Sequence, residues 1–260
     1  MLLCPVRNCH MALVREARRL FCPRGHSFDV ARSGYINLLQ PQDRRSKQPG
    51  DTAAAIAGRR RLHDGGVTEP LLHAIAEMVA ASPGDAVLDA GCGEGFYLGT
   101  LARETGFDAH GVDISIPAVD AAARRYPGCQ WTVANADRFL PYADRSFSIV
   151  LSITARMNAG EFRRVLRDDG RLVVALPAPE DLVELRGAGR DRVARTVEAF
   201  ADGFTLADRR RVATAADLDA AAVDDVLHSI YRPMRSQPAE AMRVTFSLDL
   251  LLFRQTAGKP

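Results

Sequence analysis

Residues 86–97, Ala-Val-Leu-Asp-Ala-Gly-Cys-Gly-Glu-Gly-Phe-Tyr, constrain the fold of this chain more than any other stretch. Val87 and Leu88 read as the end of a buried strand, Asp89 closes it, and Gly91, Gly93 and Gly95 follow at alternate positions. A backbone that turns so tightly between a strand and a helix needs residues without a Cβ. The turn is that of a nucleotide-cofactor loop, and it predicts a doubly wound, mostly parallel α/β sheet with its ligand at the carboxyl ends of the strands.

Three details select the cofactor. The spacing is GxGxG with an acid two residues ahead, whereas the dinucleotide fingerprint is GxGxxG and approaches a pyrophosphate. S-adenosylmethionine has no pyrophosphate; it carries an ammonium and a sulfonium, which suit a carboxylate such as Asp89 that would repel a diphosphate. A second apolar strand ends in Asp113-Ile114, twenty-four residues after Asp89, where an acid accepts hydrogen bonds from ribose hydroxyls. Asn135-Ala136-Asp137 then takes the place of the loop after strand three, beside the adenine amino group, and Ser152 sits at the end of strand four.

The front of the chain carries different chemistry. Cys4 and Cys9, then Cys22 and His26 after a twelve-residue gap, form two knuckles of soft and borderline ligands, and prolines follow Cys4 and Cys22 directly. Such a set predicts a structural zinc site, closed to water because all four positions are filled by protein. His10 is an alternative to Cys9; Cys9 is preferred because it completes a Cys3His set. Five cysteines and no apolar leader argue against a disulfide framework and for a cytoplasmic protein, and no stretch is apolar enough to span a membrane. Residues 1–63 hold twelve Arg and Lys against four Asp and Glu, so they carry +8 within a chain of net +2. A basic front joined to an acidic remainder points to a nucleic-acid partner.

Three short strands are expected at 12–14, 19–21 and 28–30. Tyr35 either stacks on a base or packs the zinc module against the main domain. Residues 40–52 form a polar loop whose Arg44, Arg45 and Lys47 are the first choice for RNA phosphates. A helix over 53–62, capped by Asp51 or Thr52, presents Arg59, Arg60 and Arg61 on one side, either to RNA or simply to solvent. Thr68 caps the next helix. Helices at 96–104, 116–125 and 161–166 alternate with strands at 146–153 and 171–176, a turn lies at 168–170, a helix spans 217–231, and 242–253 forms an antiparallel edge strand. The organisation predicted is a zinc module (1–39), a basic linker and helix (40–66) and a catalytic domain (67–260).

Residues 80–178 closely resemble the class I S-adenosylmethionine-dependent methyltransferases, whose sheet has seven strands. CPxxxC, CPRGHSFDVARSGYINLLQ, RRSKQPGDT and LDAGCGEGFY, in that order, look like the RlmA family of bacterial 23S rRNA guanine-N1 methyltransferases. That resemblance implies that Cys4, Cys9, Cys22 and His26 hold zinc, that Gly95 and Phe96 line the cofactor site, and that the basic module grips an rRNA hairpin. RRSKQPGDT looks like the housekeeping branch, which implies a 745-type rather than a 748-type site. Three positions depart from the family: Arg156 stands where Ala-Pro is usual after strand four, Thr68 where a Tyr contacts cofactor, and Asp181 where a His follows strand five. The target guanine must be flipped out and lose its N1 proton, for which Asp51, Asp181 and Arg156 are the candidate groups, Arg156 as a partner for O6. The competing readings are a methyltransferase for a small molecule and a zinc/RNA-binding protein without catalysis. A homodimer, presenting two zinc modules to one RNA, is compatible with the sequence.

Overall fold

The computed structural model describes residues 1–43, 50–229 and 239–256. The amino-terminal forty residues make a three-stranded antiparallel sheet, β1 (Val14–Glu16), β2 (Arg19–Phe21) and β3 (Ser27–Asp29), followed by the two-residue β4 (Ile36–Asn37). Two helices come next, α1 (Ala53–Asp64) and α2 (Glu69–Val79). Thr52 caps α1 by accepting from the Ala55 amide. Thr68 occupies the cap position of α2 but does not cap it, because its hydroxyl meets His63 Nδ1 at 2.6 Å instead.

Strand and helix then alternate: β5 (Ala86–Ala90), α3 (Phe96–Thr105), β6 (Asp108–Asp113), α4 (Ile116–Arg125), β7 (Gln130–Val133), β8 (Phe147–Ile153), α5 (Ala159–Val165) and β9 (Leu166–Pro177). The chain ends with α6 (Val183–Arg186), α7 (Val193–Phe200), β10 (Phe204–Leu218), α8 (Ala220–Ser229) and β11 (Met242–Gln255). The sheet order is β10-β11-β9-β8-β5-β6-β7-β4. Pairing is parallel from β4 through β9, and β11 is antiparallel to both of its neighbours.

Alternating side chains along each strand build one core on each face of the sheet. Val87, Ile149 and Val173 meet Leu72, Ile75, Leu98 and Val119 from the helices on one side. Leu88, Val150 and Val174 pack on the other side with Phe162, Val165 and Phe200, and this second core also contains Leu2, Leu20, Phe28 and the thiols of Cys4, Cys9 and Cys22. The zinc module is therefore seated on the sheet. Each fully buried Leu or Ile of these clusters stabilises the fold by roughly 1.5–3 kcal/mol relative to exposure.

Beyond Thr68, the structure differs from the sequence reading in several places, the first being β1, which spans Val14–Glu16 rather than 12–14. Ile36–Asn37 adds an eighth strand to the expected seven by pairing with Thr132 and Val133. β11 lies one strand in from the edge, because residues 204–218 form a long outer strand in register with it over fourteen pairs. The Arg209-Arg210-Arg211 run masks the alternation of that strand, and pairing overrides local preference. The helix expected at 217–231 begins later, at Ala220, because 217 and 218 belong to β10; residues 230 and 231 lie outside the described residues. The turn expected at 168–170 is a bulge within β9: Phe147 pairs with Leu166, and the next partners are Ile149 and Arg171.

Candidate active site and zinc cluster

The glycine loop leaves β5 at the carboxyl edge and turns at once into α3. Gly91 and Cys92 both donate to Val112 O, at 2.8 and 3.1 Å, so the turn is stitched to the end of β6. Gly91 and Gly95 have φ of +93° and +76°, and a Cβ at either would stand 2.4 Å from Ala155 Cβ or from the Trp131 ring. Only glycine fits both the backbone conformation and the space. Asp113 Oδ2 accepts from the Gly93 amide at 2.9 Å and Oδ1 from the Ser115 amide at 2.8 Å. Asp113 and the glycine loop are thus one hydrogen-bonded unit, with lone pairs left on the carboxylate. Burial raises the Asp113 carboxyl above its ordinary range, and the two amides oppose that shift.

Behind the loop lie acids with carboxylate oxygens that no described residue satisfies. Asp89 is 2% exposed, and its Oδ1 has no hydrogen-bond partner. Burial, reinforced by the Asp113 charge, pushes its carboxyl up to about 8. Glu94, inside the glycine turn, is buried with both carboxylate oxygens unpartnered, and burial pushes it to about 7 against the pull of Arg125 and Arg59. Ser152 Oγ at the end of β8 is buried and unpartnered too. Orphaned buried acceptors are costly and need a partner, and a ligand bearing an ammonium and a sulfonium supplies the complementary charge. The donor set therefore fits S-adenosylmethionine and disfavours a pyrophosphate.

At the other end of the chain, Cys4, Cys9, Cys22 and His26 place their ligand atoms within 4.8 Å of one another. Cys4 Sγ lies 3.4 Å from His26 Nδ1 and Cys9 Sγ 3.3 Å from Cys22 Sγ. A tetrahedral zinc with Zn–S of about 2.3 Å spaces its thiolates about 3.8 Å apart, so the cluster has zinc dimensions. Two tight turns shape it: Cys9 N donates to Val6 O, and Gly25 N donates to Cys22 O. His10 is excluded from the set, since its ring stacks on Phe139 at 4.3 Å.

Comparison with known proteins agrees with both halves. Residues 2–47 match the RlmA N-terminal zinc-ribbon family, and residues 87–171 match a methyltransferase domain family. The 23S rRNA (guanine(748)-N(1))-methyltransferase of Streptomyces fradiae is 37% identical over 83% of this chain and 79% of its own length. A Micromonospora griseorubida protein, named provisionally as a 23S rRNA (guanine-N(1)-)-methyltransferase, is 39% identical over 70% of this chain and 67% of its own. The chain belongs to the RlmA-type 23S rRNA guanine-N1 methyltransferase family. A crystal structure of a SAM dependent methyltransferase from Aquifex aeolicus, 15% identical, superposes over 80% of this chain and all of its own with a TM-score of 0.53, which shows the shared fold. This member of the family is an S-adenosylmethionine-dependent methyltransferase with a structural zinc cluster.

Within that family framework, the other residues singled out from sequence take definite positions. Asp51 and Arg59 pair at 2.8 Å, both half-buried, and Asp51 O accepts from Ser115 Oγ at 3.0 Å. Arg59 approaches Gly93, with Nη1 at 3.5 Å from where a Cβ would stand. It sits at the cofactor loop, whereas Arg60 and Arg61 are exposed. Tyr35 is half-buried against the helical core, and burial raises its hydroxyl. Arg156 pairs with Asp137 at 3.2 Å, joining the loops after β7 and β8. Asn135 Oδ1 accepts from the Asp137 amide, and Ile114 and Ala136 are half-buried beside them. Asp181 receives the Ser247 amide on Oδ1 at 2.9 Å and Arg186 on Oδ2 at 2.7 Å, so both its oxygens tie α6 to β11. Arg44, Arg45 and Lys47 lie outside the described residues.

The sequence reading missed two residues. Glu94 is one. His63 is the other: buried in α1, it stacks flat on Phe96 at 3.9 Å, meets Tyr97 edge-on, and bonds Thr68. Burial, with Arg59 and Arg125 nearby, drops its imidazole to about 3, so the ring is a neutral platform holding Phe96. No local pattern in the Arg-rich helix signals this burial.

Proposed function

We propose that the chain transfers a methyl group to N1 of a guanine in a 23S rRNA hairpin, at a 745-type site. The observation that carries this reading is the seating of the zinc module beside the cofactor pocket. His10, next to the zinc ligand Cys9, stacks on Phe139, which closes the loop that begins at Asn135, and Leu38 N donates to Val133 O at 2.9 Å. A basic, metal-fixed surface is thereby held against the carboxyl edge, where phosphate contacts can position an RNA and the pocket can receive a flipped base. We assign residues 1–39 to RNA recognition, 40–66 to a basic linker and 67–260 to cofactor binding and catalysis.

Asp89, Gly91, Gly93, Gly95, Phe96, Asp113, Ile114, Asn135, Ala136, Asp137 and Ser152 would hold the cofactor, with Thr68 acting through His63. Bound S-adenosylmethionine supplies an electrophilic methyl on a good leaving group. Guanine N1 is nucleophilic only once its proton has passed to solvent, and a cation at O6 lowers the cost of that deprotonation. Arg156, exposed at the mouth and steadied by Asp137, is the group assigned to O6. Asp181 belongs to the scaffold, since both of its oxygens are engaged.

The 745-type assignment rests on the RRSKQPGDT segment, and position 748 is the alternative because the Streptomyces fradiae relative is named for it. The reading places the reaction in the cytoplasm, and among the described residues no helix is long and apolar enough to cross a membrane. A symmetric dimer would set two zinc modules on one RNA. Mass mapping of methylated nucleosides in 23S rRNA from cells with and without the gene tests the reading: one N1-methylguanine should vanish, and its position separates the two sites. Identical maps would overturn it.

A further inference from the structure

We infer that a cavity at the carboxyl end of β9, lined by Arg186, Arg190 and Arg192, binds a backbone phosphate of the substrate RNA next to the flipped base. The cavity holds about 180 Å³, its floor is Pro177 and Ala178, and its wall is the Gly187–Gly189 turn that precedes α7. This inference rests on the RNA reading above and names contacts that the zinc module and linker do not provide.

Position supplies the first argument. β9 is two strands from β5 in the sheet, with β8 between them. At about 4.8 Å per strand, the cavity stands on the order of 10 Å along the carboxyl edge from the cofactor loop. A base reaching the cofactor must lie over the β5 and β8 ends, and its neighbouring phosphates then fall within one nucleotide of it. The zinc module docks at the opposite flank, on β7. The two basic surfaces therefore bracket the pocket.

Charge supplies the second. Four acids lie in the same stretch, and each is already committed. Glu180 accepts from Ser247 Oγ at 3.1 Å and pairs with Arg211. Asp181 takes the Ser247 amide and Arg186. Glu184 accepts from the Thr245 amide and hydroxyl at 2.9 and 2.6 Å. Asp191 accepts from the Val193 amide at 2.8 Å and lies 3.9 Å from Arg209. Arg190 and Arg192, in contrast, are exposed and make no side-chain hydrogen bond or ion pair with any described residue. Two guanidinium forks without partners, beside a third that Asp181 holds in place, match the oxygens of a phosphodiester.

The test uses the full-length zinc-loaded protein and a synthetic RNA of the 23S hairpin, with affinity measured by fluorescence anisotropy across a salt series. The R190Q/R192Q variant should lower the slope of log K against log salt by about 0.7, one single-strand phosphate contact's worth. Its S-adenosylmethionine affinity by calorimetry should match wild type. R103Q/R167Q removes the same charge from exposed residues at the amino edge and should leave the slope unchanged. An unchanged slope in R190Q/R192Q, with wild type binding the hairpin normally, overturns the phosphate site and leaves the RNA reading intact. Equal losses in both double variants also overturn it, since a diffuse field would then be responsible. Failure of the wild-type protein to bind the hairpin overturns both readings together.

Discussion

Replacing Asp89 by Asn should stabilise the cofactor-free protein by an amount that grows with pH. Asp89 is 2% exposed and its carboxyl is pushed up to about 8 from an ordinary 3.8. An acid whose folded value lies above its unfolded value contributes stability fully below the unfolded value and loses it as pH rises through the folded one. At 1.36 kcal/mol per unit, wild type forfeits roughly 4 kcal/mol at pH 7 and roughly 6 kcal/mol above pH 8, and Asn, which carries no charge, forfeits none of it. Trp131 is the only tryptophan, is buried, and touches the positions where Gly95 and Gly111 would carry a Cβ, so its fluorescence reports unfolding of the cofactor domain. Urea unfolding of both proteins between pH values of about 5.5 and 8.5 should show the gap widening by about 1.4 kcal/mol per unit and levelling near pH 8. The ligand side reverses the preference: S-adenosylmethionine should bind wild type with proton release and rising affinity up to about pH 8, and should bind D89N weakly without that rise. A stability gap independent of pH would refute the assignment of Asp89 as the unpaired acid awaiting a cation.

Gly95→Ala combines a φ of +76° with a Cβ 2.4 Å from Trp131, so it should cost about 1–3 kcal/mol in stability and at least tenfold in S-adenosylmethionine affinity by calorimetry; wild-type affinity would contradict the steric argument. Chelation should raise hydrogen exchange over residues 1–30 and leave cofactor affinity within several-fold of wild type; retained protection without metal would count against the zinc cluster. His63→Ala should weaken cofactor binding by removing the platform under Phe96, and because His63 titrates near 3, the ratio of variant to wild-type affinity should stay constant between about pH 5.5 and pH 7. A ratio that changes with a midpoint near 6.5 would show that the imidazole is not held neutral.

What was legible in the sequence follows from the kind of constraint involved. The glycine loop and the two acids announce themselves because a tight turn with φ above zero and a charge at a strand end each admit few residue types. The zinc knuckles are legible because metal geometry fixes ligand type and spacing. The β5 to β9 alternation reads off its apolar runs. β10 does not, because an edge strand facing solvent carries Arg209–Arg211 where a buried strand would carry Val or Ile, and only fourteen pairs with β11 define it. β4 is hidden for another reason: two residues have no period, and Ile36 and Asn37 become a strand only because Val133 and Thr132 lie beside them. His63 and Glu94 sit in segments whose composition looks solvated. Their burial arises where α1 crosses the cofactor loop, a contact between residues thirty apart that no local pattern encodes.

The crossing of α1 over the loop also explains why the zinc module and the cofactor site belong to one chain. Leu38 leaves β4 at the carboxyl end of β7, bonded to Val133 O, and Asp51 enters α1 at the carboxyl end of β6, bonded to Ser115. Leu38 and Asp51 thus lie at the carboxyl ends of adjacent strands, β7 and β6. A Cβ at Gly50 would stand 2.6 Å from Ser115 Cβ, so the returning backbone rests directly on the residue whose amide binds Asp113. Arg59, about two turns beyond the Thr52 cap, locks the arrangement by pairing with Asp51 while lying against Gly93. The same few contacts therefore fix Asp113, the glycine turn and the end of the basic linker. The end of the linker and Asp113 thus share one hydrogen-bonded residue, Ser115, whose amide donates to Asp113 and whose hydroxyl donates to Asp51 O.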